Sequence, residues 1–139
     1  MIWEVIEHLP RIKIPPTLKE IRRVLKPNGF LFLSTPKADL RSTLTDPAWY
    51  LGHRHFREGD LYNILFQNDF KLVRIQSGGG LFEILYMLLF YLFKHLLSLE
   101  VPGKEFFEKK RRKEYLKLKG WCTYFIHAKV NSTDTRQLS

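Results

Sequence analysis

The sequence predicts an α/β fold of about three strands with helices, plus an extra apolar helix inserted before the last strand. Three observations lead there. A helix-patterned segment ends at Lys26-Pro27-Asn28-Gly29 and runs directly into a short apolar strand, a succession that marks α/β folds. A second helix-then-strand pair follows between Glu58 and Gln76. Finally, Trp121 to Val130 is rich in aromatic and β-branched residues, as strands are. At 139 residues, 45% of them hydrophobic, the chain is long and apolar enough to build one core.

Taken in order, the first helix is expected to start at Thr17, which stands three residues before Glu20 and so offers a capping box after Pro15-Pro16. Leu18, Ile21 and Leu25 form its apolar stripe. Pro27 ends it, and Asn28-Gly29 readily takes positive φ in a turn. The apolar run Phe30 to Leu33, closed by Ser34-Thr35-Pro36, shows no polar alternation and is expected to be a strand buried on both faces, near Phe30 to Ser34. Lys37 to Tyr50 has no clear period and reads as an irregular segment over the strand ends, where function often sits.

Leu61, Ile64 and Leu65 give Glu58 to Asn68 a helical spacing, with Glu58 and Asp60 at its positive end. Phe70 to Gln76 reads as a strand ended by Gly78-Gly79-Gly80. Leu81 to Leu99 is apolar on all sides around Ile84 to Phe93, yet shorter than the roughly 20 apolar residues that span a bilayer. Such a helix must be covered, either by the rest of the protein or by a membrane surface. From Asn131 the chain is a polar tail. The expected organisation is therefore one unit over 1–130, containing an insertion at 81–119, and a tail at 131–139.

The formal net charge is +9, concentrated in Lys109-Lys110-Arg111-Arg112-Lys113 within a basic stretch from Lys104 to Lys119. That stretch is open to two readings, a solvated helix face or a surface for an acidic partner. An anionic membrane beside the apolar helix is one such partner. Nucleic acid is disfavoured, because Phe106, Phe107 and Tyr115 do not form an evident stacking module. The single Cys122 excludes an internal disulfide framework and reads as a small core residue. No export signal opens the chain, and the expected location is cytoplasmic or peripheral at the inner face of the membrane.

Three blocks in order carry a resemblance: Glu4-Val5-Ile6-Glu7-His8-Leu9-Pro10, then Leu18 to Phe30 through Lys26-Pro27-Asn28-Gly29, then Ser34-Thr35-Pro36. Together they resemble the C-terminal half of class I S-adenosylmethionine-dependent methyltransferases, over about Ile2 to Gln76. Gly52-His53-Arg54-His55-Phe56 and Asp69-Phe70 add to the likeness. The resemblance implies part of a Rossmann-like fold in which the last strand runs antiparallel between the two before it. It also implies S-adenosylmethionine as cofactor. The glycine-rich turn and the ribose-binding acid of such folds have no counterpart here, since Gly78 to Gly80 follows a late strand with the wrong spacing. The chain is therefore expected to be truncated, inactive alone, and exposed along one flank of its sheet.

Glu4, Glu7 and His8, at i, i+3 and i+4, would share one face of a helical turn and suit a hard cation such as Mg²⁺ or Mn²⁺. The pattern resembles the metal site of ubiquinone-pathway O-methyltransferases and of small-RNA 3′-terminal 2′-O-methyltransferases. In the latter a later His completes the site, and His53 or His55 is the match. Alternatively, Glu7 and His8 close a helix end and hydrogen-bond within the fold. His53 and His55 are candidate general bases or plain loop histidines. Trp3 matches a position that touches the cofactor, or packs in the core.

The leading expectation is methyl transfer from S-adenosylmethionine to an unidentified acceptor. The competing one is a non-catalytic remnant or a membrane-peripheral interaction module.

Overall fold

The computed structural model describes residues 1–50, 52–99 and 101–131; the predicted tail beyond 131 lies outside them. Its centre is a four-stranded sheet in the order β1-β2-β4-β3, where β1 is Ile2–Trp3, β2 Phe30–Pro36, β3 Phe70–Gly78 and β4 Thr123–Val130. β1 runs parallel to β2, and β4 is antiparallel to both β2 and β3. The last strand thus lies between the other two as the resemblance implied, and a short fourth strand joins the three expected.

Helix α1, Ile14–Val24, begins earlier than the expected capping box. Pro15 and Pro16 sit in its first turn, where a missing N–H costs nothing. Thr17 is therefore inside the helix, its hydroxyl donating to the Lys13 carbonyl at 2.7 Å, and Glu20 pairs instead with Arg23. Asn28 takes the predicted left-handed φ of 61°, and the Gly29 N–H closes the turn on the Lys26 carbonyl at 2.8 Å.

One face of the sheet carries the core: Leu31, Leu33, Ile126 and Ala128 pack against Ile14 and Leu18 of α1 and against Leu61 and Leu65 of α4, Glu58–Gln67. Because both helices cover that same face, β2 is not buried on both sides as its apolar run suggested. Phe30 and Phe32 are 50% and 40% exposed on the opposite face, where they lie 4.9 and 4.4 Å from the His127 ring.

The stretch expected to be irregular contains two short helices, α2 (Leu40–Thr45) and α3 (Pro47–Tyr50). Asp39 and Asp46 explain them, accepting the N–H groups of Arg41 and Ala48 at 3.0 and 2.9 Å.

The insertion forms α5 (Leu81–Tyr91), a π-helical turn (Leu92–Leu96) and α6 (Lys104–Leu116). No side chain of its own N-cap, Gly80, closes α5. Glu114 of α6 does so, its carboxylate accepting the N–H groups of Phe82 and Glu83 at 3.0 and 3.1 Å. Arg111 forks onto Glu83 at 2.6 and 2.9 Å. The glycine run ending β3 serves a close backbone crossing: Trp121 and Cys122 donate to the carbonyls of Gly79 and Gly78, both at 3.2 Å. Among the described residues, no helix is long and apolar enough to cross a membrane.

Candidate active site

Parallel strands β1 and β2 end side by side, and loops leaving such carboxyl ends are where α/β sheets bind ligands. The chain leaves β1 through Glu4 in a left-handed conformation, φ 52°, its N–H donating to the carbonyl and hydroxyl of Ser34 at 3.2 and 3.1 Å. This reversal replaces the expected helical turn with a series of tight turns. Glu4 thereby falls outside the cluster that the other two candidates form, and the residue is exposed on this surface. Partial loss of hydration at its carboxyl, then the charges of Glu7, Glu83 and Asp46, raise that group above the ordinary range.

Glu7 points inward and is 1% exposed. Thr35, at the end of β2, donates its hydroxyl to Glu7 Oε2 at 3.2 Å, while Oε1 is buried with no hydrogen-bond partner among the described residues. His8 follows at the surface. The loop after α3 brings His53 over it, with the two Nε2 atoms 3.0 Å apart. Donor atoms of Glu7, His8 and His53 all lie within 4.8 Å of one another. Of the residues singled out as metal ligands, the structure thus brings together Glu7 and His8, adds His53, and leaves Glu4 outside this set.

His55 is placed differently. Its Nδ1 meets Thr43 Oγ1 at 2.9 Å and its Nε2 meets Asp46 Oδ2 at 2.9 Å, so both ring nitrogens are engaged. Asp46 also approaches His53 Nδ1 at 3.9 Å. Burial alone would raise the Asp46 carboxyl, but hydrogen bonds from His55 and the Ala48 N–H outweigh it and hold the group below the usual carboxylate range. Burial, and then the nearby His8, push His53 below the ordinary imidazole value, favouring its neutral form.

Thr35, Thr43 and Asp46 were not legible as site residues. Asp46 did leave a signal, since an Asp immediately before Pro47 marks a helix start whose carboxylate faces the loop. Trp3 lies on the open face of the sheet, half exposed and edge-on to Phe125 at 6.2 Å between centroids. Neither of two surface cavities, about 480 and 350 Å³, contains the Glu7, His8 and His53 cluster. The smaller reaches the same loop through Arg54, His55 and Phe56.

A mixed sheet with polar residues gathered beyond its parallel strand ends defines an α/β protein of the Rossmann-like class. Residues 1–75, more than half of the chain, match the profile of a family described as a methyltransferase domain. The chain belongs to that methyltransferase family. Among solved structures it resembles a protein from Galdieria sulphuraria described as a sarcosine dimethylglycine methyltransferase. The TM-score is 0.55 at 15% identity, over 94% of this chain and 51% of that one. The likeness establishes the shared fold, and this chain spans about half the length of that protein. No curated protein matches.

Proposed function

We propose that this chain forms the acceptor-activating side of an S-adenosylmethionine-dependent methyltransferase, with Glu7, His8 and His53 as a divalent-metal site. The observation that carries the reading is the convergence of donor atoms from these three side chains, one of them a buried carboxylate whose Oε1 has no hydrogen-bond partner among the described residues. A buried carboxylate oxygen without a partner is costly, and a cation would satisfy it. One carboxylate with two imidazoles suits Mn²⁺, Fe²⁺ or Zn²⁺ better than the Mg²⁺ expected from two carboxylates. A cation held there supplies Lewis-acid polarisation of an acceptor hydroxyl.

The remaining residues orient this set. Thr35 fixes the Glu7 carboxylate, and Asp46, held by His55 and Ala48, places its charge 3.9 Å from His53 Nδ1, too far for a hydrogen bond but close enough to favour positive charge on that ring. His55, with both nitrogens taken, acts as a positioning residue, and His53 is the candidate that meets the acceptor or its metal. S-adenosylmethionine supplies the methyl group on a sulfonium, a leaving group that needs no protonation. Trp3 offers it an open aromatic face at the end of β1.

Calorimetric titration tests the reading. Mn²⁺ or Zn²⁺ is added to the chain first, then S-adenosylmethionine with and without the metal, followed by assay of labelled methyl transfer to hydroxyl acceptors. Saturable metal uptake supports the metal site even where the chain alone transfers no methyl group, and metal-dependent transfer supports its role on the acceptor. Absence of metal uptake by folded protein overturns the metal site, and transfer unaffected by a chelator overturns its role in activating the acceptor.

A further inference from the structure

We propose that α5 and α6 together form a surface that docks on an anionic lipid bilayer. Leu81, Leu85, Leu88 and Leu92 recur at spacings of four, three and four along α5 and its π-helical extension, so they fall on one narrow strip. All four are exposed, at 54%, 39%, 41% and 44%. Ile84, on the flank of this strip one turn from Leu81 and Leu88, is buried against the protein, and Phe82, Glu83 and Tyr86 face α6. The leucine strip therefore lies on the side of α5 away from α6, bordered by that buried flank and partly open to solvent.

On α6, Phe106, Lys110 and Lys113 follow the same helical spacing, with Lys109 beside them and Lys117 one turn on. The α6 strip reaches α5 at Phe82, the residue next to Leu81. Phe106 meets Phe82 edge to face at 6.2 Å, and the Lys110 ammonium lies 5.4 Å from both ring centroids. An apolar ridge beside a basic one is the pattern of an interfacial helix pair. Leucines enter the acyl boundary while lysines lie along it and keep their ammonium groups among lipid phosphates. Charge decides the occupant: a neutral protein partner would leave the lysine strip unmatched, and a nucleic acid would leave the leucine strip in water.

The inference does not depend on the methyl-transfer reading. It is tested by sedimenting the full chain with vesicles of phosphatidylcholine alone and of equimolar phosphatidylcholine and phosphatidylglycerol. Strong partition onto the anionic vesicles, weakened by salt, is expected. Lys109→Gln with Lys113→Gln should lower it about thirtyfold. Leu85→Gln with Leu88→Gln should lower it several-fold. All four positions are at least partly exposed, and far-ultraviolet dichroism verifies that each variant stays folded. The proposal is overturned if the folded chain ignores anionic vesicles, if either double variant binds as well as the parent, or if a DNA duplex captures the chain without loss in the leucine variant.

Discussion

Nε2 of His53 lies 3.0 Å from Nε2 of His8, although 45 residues separate them in sequence. Two imidazole nitrogens at that distance share one proton or one cation, and they cannot both carry a hydrogen toward the other. The buried Glu7 carboxylate beside them tips this arrangement toward a positive guest. This pairing is the feature from which the metal-site predictions follow.

Zn²⁺ or Mn²⁺ added to chelator-treated protein is expected to bind saturably, releasing protons as the pH is lowered toward the imidazole range. Glu7→Gln keeps the shape and removes the charge, and His53→Ala removes a ligand. Each should weaken affinity by at least about tenfold, as removal of even a supporting group does in known metal sites. His55→Gln should have a smaller effect, transmitted through Asp46. Calorimetry on the four proteins checks the order, and equal affinities would show that the three side chains hold no metal.

How the fold could be read from sequence, and the site only in part, follows from which signals are local. Pro27-Asn28-Gly29 announces its own turn, and Leu61 with Leu65 announces a helix face, because each effect acts within one turn of chain. The exposure of Phe30 and Phe32 could not be read so. It depends on α1 and α4 both crossing one side of the sheet. The same holds at the site. Glu7 and His8 are adjacent and stood out together, whereas the pairing of His53 rather than His55 with them depends on the short helices capped by Asp39 and Asp46. Glu4 was misplaced because a left-handed backbone at a residue other than glycine or asparagine leaves almost no mark in sequence.

Acid should unfold the metal-free chain in two stages. His53 has its folded-state value below the ordinary imidazole one, so as the pH falls through about 6.5 the unfolded chain takes up a proton that the folded one resists. Stability therefore drops first in that window. Asp46 has a depressed folded-state value, so its contribution is full above the ordinary carboxylate range and disappears as the pH falls through the depressed value, below about 4. Urea midpoints measured against pH in the presence of a chelator should show both stages. His53→Asn should flatten the first and Asp46→Asn the second, and a single stage unaffected by either change would refute the assignment.

Glu114 closes the first turn of a helix that belongs to a different part of the chain. Glu114→Ala should lower stability by about 1–2 kcal/mol, the range for losing a helix cap. Its signature is local: hydrogen exchange should quicken at the Phe82 and Glu83 amides more than at Leu31 or Ile126 in the sheet. Uniform acceleration across the chain would mean that the cap carries no special role at this end of α5.

Cys122 reports on the backbone crossing beside it. Burial, and then the charges of Glu83 and Glu114, push its thiol up to about 12. Its hydrogen lies toward the Gly80 carbonyl, with sulfur and oxygen 3.7 Å apart. At pH 8 the folded chain should therefore react with a thiol reagent far more slowly than the urea-unfolded chain, because little thiolate forms and access waits on opening. A side chain at Gly120 would drive a Cβ to 2.2 Å from the carbonyl carbon of Gly78. Since backbone cannot yield as a flexible side chain does, Gly120→Ala should cost about 1–3 kcal/mol. If opening governs access, that change should speed Cys122 labelling by roughly 5- to 150-fold, the same free energy expressed as a population of the open form. Unchanged labelling together with a lowered urea midpoint would show that Cys122 is reached by a route other than parting of this crossing.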